Sequence, residues 1–77
     1  MNHAPHFYRW ETAQRYYEAM ALQDLWGDWV VLQRWGGKHN QRGGFRFIPI
    51  ALNEVEGFMT QIDIVRRRHG YQRFMSR

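Results

Sequence analysis

Seventy-seven residues are enough for one small domain, and 44% apolar residues with thirteen aromatic side chains give it the means to bury a core. The absence of cysteine excludes disulfide scaffolds, thiolate zinc fingers and thiol nucleophiles. The formal charge is +4, and it is clustered: residues 1–33 carry −2, residues 34–50 +4, residues 51–65 −3 and residues 66–77 +5. Two basic blocks separated by an acidic one are the electrostatic footprint of a phosphate-binding surface. Basic residues also offset the macrodipole at a helix C-terminus, so charge alone leaves both readings open.

Residues 1–14 read as an irregular lead-in, with Phe7-Tyr8-Arg9-Trp10 aromatic enough to pack onto the domain as a short edge strand. The first residues lack the charged and apolar regions of a signal peptide, and no apolar run reaches the roughly 20 residues that span a bilayer. The expectation is a soluble cytoplasmic protein that is a whole small gene product. His3, His6, His39 and His69 lack the spacing of a helical metal site, so they read as surface histidines.

Residues 15–23 alternate as a strand, with Tyr16, Met20 and Leu22 on one parity and Tyr17, Ala19 and Ala21 on the other. Residues 24–28 are a turn in which Gly27 is free to take positive φ, and a second strand returns over residues 29–35. Trp26 and Trp29, at this hairpin, read as packing residues. Residues 36–44 are the most loop-like stretch, with four glycines among nine residues. A third strand over residues 45–50 puts Phe45 and Phe47 on one face and Arg46, Ile48 and Ile50 on the other. Pro49 lacks an amide donor and marks an edge strand or a strand end.

Asn53 then reads as a helix N-cap, with Glu56 completing a capping box. Val55, Phe58, Met59, Ile62 and Val65 recur at helical spacing, and Gly70 is placed to end the helix in the left-handed region. The expected fold is a small α+β domain. A twisted antiparallel sheet of three or four strands carries one C-terminal helix across one face, leaving aromatic and basic side chains on the other. A short basic tail occupies residues 72–77.

Five short motifs, in order, carry a family resemblance over residues 15–71. They are Arg15-Tyr16-Tyr17-Glu18, Gln23-Asp24-Leu25-Trp26-Gly27-Asp28-Trp29, Arg34-Trp35-Gly36-Gly37, Arg42-Gly43-Gly44 and Arg66-Arg67-Arg68-His69-Gly70-Tyr71. Together they resemble the bacterial WGR domain, which also occurs in DNA-dependent poly(ADP-ribose) polymerases. The resemblance implies a sheet with a helix across it, and a DNA contact at Trp35 and the following Gly36. Gly37 stands where the family's motif has arginine, and the loop to residues 42–44 is one residue longer than usual. Lys38 and Arg42 are the candidates for the missing charge. No ADP-ribosyl transferase domain accompanies the motifs, so polymerase activity does not carry over.

Trp35 has two readings, a core residue or a platform on which sugar or base stacks. Arg34, Lys38, Arg42 and Arg46 flank a loop whose backbone amides could approach phosphate, and each could equally be a solvated loop residue. Arg66, Arg67 and Arg68 cannot all face one way on a helix, so two at most share a binding face. Carboxylate pairs, a Ser/His/Asp set and a metal cluster are not evident, which points away from catalysis, cofactors and metals. The expected function is a non-catalytic nucleic-acid-binding module, with DNA as the expected partner. Arg34, Trp35, Gly36, Lys38, Arg42, Arg46, Arg66, Arg67 and Arg68 form its site. The alternative is a protein-interaction module, self-association included, that uses the aromatic sheet face.

Overall fold

A computed structural model describes residues 7–76. Strands β1 (Phe7–Glu11), β2 (Arg15–Gln23), β3 (Trp29–Gly37), β4 (Gly43–Pro49) and β5 (Gln72–Ser76) form one antiparallel sheet. Their order across it is β4-β3-β2-β1-β5. The helix α1 (Val55–Arg68) lies between β4 and β5 in the chain, behind a 3-10 turn at Leu52–Glu54. The class is α+β, as the patterns imply, but the sheet has five strands where three or four were expected.

The additional strands come from the segments read as lead-in and tail: the short edge strand expected at residues 7–10 is β1, an interior strand, and β5 was not expected as a strand. Each spans five residues, too few for alternation to stand out, and pairing creates them. β1 lies inside the sheet, with Trp10 opposite Tyr17 of β2 and Arg73 of β5. The readings of residues 1–6, with His3 and His6, and of Arg77 lie outside the described residues.

The register sorts the side chains onto two faces. Tyr8, Trp10, Tyr17, Ala19, Ala21, Trp29, Val31, Gln33, Trp35, Arg46 and Ile48 share the face that α1 covers in part. Trp10, Ala19 and Val31 are fully buried there with Val55, Met59 and Ile62 of the helix. The small side chains of Ala19 and Ala21 belong to the same core cluster. Phe58 packs only in part, and Val65 is exposed, so the buried stripe is narrower than its spacing implies.

Asn53 does not cap this helix. It lies inside the 3-10 turn, whose N-cap is Ala51, two residues earlier, and Glu54 supplies the reciprocal contact, accepting from the Ala51 N–H at 3.2 Å. Gly70 takes φ +84° just past the helix end, as its position suggests. At the β2–β3 turn Gly27 takes φ +83°, and the Asp24 carboxylate accepts from the backbone N–H of Trp26 and of Asp28, each at 2.9 Å. This turn holds Leu25 and Trp26 out into solvent, Trp26 at 82% exposure, which corrects its reading as a packing residue.

Trp10 is tied to the helix by its indole N–H, which donates to Asp63 Oδ1 at 2.8 Å. Burial works against ionisation of Asp63, but that donor and the Arg67 guanidinium outweigh it and hold the carboxyl below its ordinary range. Lys38 and Arg9 lower Glu11 in the same way. Both groups have a folded pKa below the unfolded one. Their stabilisation is therefore complete above about pH 5 and is lost as pH falls through about 4 and below. Urea midpoints measured between about pH 6 and 3 should fall over that window, and Asp63→Asn should flatten part of the fall. An unchanged slope in that variant would remove Asp63 from the account.

Candidate functional site

At the end of the sheet opposite the Trp26 turn, α1 does not cover the helix-side face, because its nearest backbone approaches are to β1 and β5. A cleft of about 790 Å³ opens there. Arg15 enters from the start of β2, Arg46 from β4, Arg42 from the loop between β3 and β4, and Arg66 from the last turn of α1. Tyr17, Trp35 and Tyr71 supply its aromatic walls. Among the described residues, no acid lines it.

The aromatic part is built by register. Tyr17 and Trp35 are cross-strand partners and stack with centroids 6.2 Å apart at 18°. The Arg66 guanidinium lies 4.5 Å from the Tyr17 ring centre and 5.3 Å from that of Tyr71. On the other side, Gly44 is the partner of Trp35, and an added Cβ there would come within 2.9 Å of indole Cζ2. The missing side chain at residue 44 is what lets the indole rest against β4. Trp35 is half-buried, between the two readings its sequence position allowed.

Gln33, 2% exposed, is the one polar residue among the described residues that is fully buried, and it works as a strut. Its amide N–H donates to the Tyr17 hydroxyl at 2.7 Å, and its carbonyl accepts from Arg46 Nε at 2.7 Å. A buried amide with both ends satisfied fixes its partners, so Arg46 is held in place before any ligand arrives.

The structure divides the residues that the basic blocks suggested. Arg42, Arg46, Arg66, Trp35 and Gly36 meet in the cleft. Arg34 and Lys38 do not, because strand alternation and the loop path turn them to the opposite face. There Arg34 faces Glu18 at 3.8 Å, and Lys38 bonds Glu11. Arg9 bridges the same two carboxylates, closing a network that offsets most of the charge on this part of the surface. Arg67 pairs with Asp63 at 2.9 Å along the helix, and Arg68 is exposed without lining the cleft. Among the described residues, Arg15, Arg42, Arg46 and Arg66 form no ion pair.

Arg15, Tyr17 and Tyr71 are site residues that sequence reasoning missed. The signal for Tyr17 was present, since pairing two nine-residue strands about the residue 24–28 turn sets it opposite Trp35. Gly44→Val tests the geometry directly. It should push the indole off β4, cost about 1–3 kcal/mol by overpacking and alter the near-ultraviolet circular dichroism. An unchanged spectrum would show that Trp35 does not rest on residue 44.

No family model, curated protein or solved structure matches the chain.

Proposed function

We propose that this chain is a non-catalytic, cytoplasmic nucleic-acid-binding module that holds phosphates without regard to sequence. One observation carries the reading: among the described residues, four arginines without carboxylate partners surround an aromatic cleft that no acid lines. Concentrated guanidinium charge is costly to assemble unless an anion completes it, and guanidinium groups match phosphate oxygens in pairs. The aromatic rings among them suit sugar and base as well as phosphate. The motifs resembling WGR domains point the same way, with DNA as the expected polymer and Trp35 and Gly36 at the contact. Gly36 lies in the cleft; the arginine that this chain lacks at Gly37 has candidate substitutes in Arg42 and Arg46, both lining residues.

The test is fluorescence anisotropy with short duplex, nicked and single-stranded DNA at two salt concentrations. About four phosphate contacts should weaken binding roughly 50–100-fold between 50 and 200 mM salt. No binding at the lower salt rejects the reading. A second reading, a protein-interaction module, draws on Phe45 and Phe47, which stand exposed beside each other on the uncovered sheet face, and on Leu25 and Trp26 at the turn. Sedimentation of the pure protein over a range of concentrations tests self-association through that face.

A further inference from the structure

We infer that the cleft takes single-stranded nucleic acid, seating about one nucleotide among its rings, and does not grip the flank of a duplex. The inference rests on the nucleic-acid reading above and narrows it.

Charge placement is the first argument. A protein that lies along a duplex spreads its cations to meet phosphates on both sides of a groove about 12 Å wide. Outside the cleft, Arg9, Arg34, Lys38 and Arg67 each hold a carboxylate, which leaves Arg68 and Arg73 as the cations without an ion pair there among the described residues. The unpaired guanidinium groups of Arg15, Arg42, Arg46 and Arg66 are gathered around one concavity. That arrangement surrounds a short piece of strand from several sides and offers no track for a rod.

Shape and chemistry give the second argument. A volume of about 790 Å³ falls in the range of about 300–1,000 Å³ that encloses a drug-sized molecule, the scale of one or two nucleotides. The cleft is lined by the stacked pair Tyr17–Trp35 and by Tyr71, with Asn40 and Gln14 as neutral hydrogen-bonding groups at its rim. Rings placed among cations are of use to a ligand whose bases are unstacked and free to pack on them. In a duplex the base faces are already covered.

The third argument is preorganisation. Gln33 ties the Arg46 guanidinium to the Tyr17 hydroxyl, and Arg66 lies over the other end of the same aromatic group, between Tyr17 and Tyr71. One cation from β4 and one from α1 are thus fixed relative to the ring pair.

The experiment titrates the full chain with fluorescein-labelled oligo(dT) and oligo(U) of about twelve nucleotides, a blunt duplex of the same length, and an abasic deoxyribose-phosphate strand of the same charge. Oligo(dT) or oligo(U) should bind at least about tenfold more tightly than the duplex, and the abasic strand should lose about tenfold for want of stacking. Arg42→Gln, at an exposed position, should weaken the single strands and leave the fold intact by circular dichroism. Equal or tighter binding of the duplex overturns this inference while the nucleic-acid reading stands. An abasic strand that binds as well as oligo(dT) overturns it too, by leaving the rings without a role. Failure of every probe at low salt overturns both.

Discussion

Replacing Trp10 with alanine should cost about 3–5 kcal/mol and leave much of the protein unfolded at room temperature. Trp10 is fully buried at the centre of the core, stacked on Tyr8 and set edge-on to Tyr17. Its indole N–H also ties the sheet to the helix. Deletion leaves a large cavity and takes a donor from Asp63. A chain this small buries a modest share of its surface, so its total stability belongs near the lower end of about 5–15 kcal/mol. The thermal midpoint should fall by about 15–30 °C. Trp10→Phe separates the two contributions: it keeps an aromatic ring, loses the donor and should cost about 1–2 kcal/mol. Trp26→Ala is the control, since that exposed side chain should change stability by no more than about 0.5 kcal/mol. Equal urea midpoints for the alanine variants at residues 10 and 26 would contradict the core described above.

That contrast between two tryptophans shows what was legible in the sequence. Strand alternation put Tyr17, Ala19 and Ala21 together on one side of β2 and Phe45 and Phe47 together on one side of β4, because period-two patterns depend only on local geometry. β2 was legible to its end residues, and β4 was legible as an edge strand ending at Pro49. The fate of Trp10 was not legible. It depends on β5, more than 60 residues away in the chain, closing over β1 and converting a lead-in into an interior strand. Trp26 was misread for the opposite reason: hydrophobicity argues for burial, whereas the Asp24 turn geometry decides where the side chain points. Charge blocks could not assign faces. Within residues 34–46, alternation sends Arg34 to one side and Arg46 to the other, and only the loop path decides Lys38 and Arg42.

The assignment of faces makes a prediction that the charge blocks alone would not. Arg15→Gln with Arg42→Gln should weaken binding of a single-stranded oligonucleotide about 100-fold at 50 mM salt, and about 10–20-fold at 200 mM. Each arginine lost should also flatten the salt slope by about 0.7 on a single strand. Both side chains are exposed and without ion pairs among the described residues, so the fold should be nearly unaffected. Arg34→Gln with Lys38→Gln removes the same formal charge from the same stretch of sequence. Those two cations face away from the cleft and are held by Glu18 and Glu11, and Arg9 remains to pair with both carboxylates. That variant should lose less than about threefold, the long-range share of two screened charges. Anisotropy titrations of the two double variants at both salt concentrations, with matched urea midpoints, make the comparison. Equal losses would mean that net charge alone attracts the nucleic acid and that the cleft has no special part in holding it.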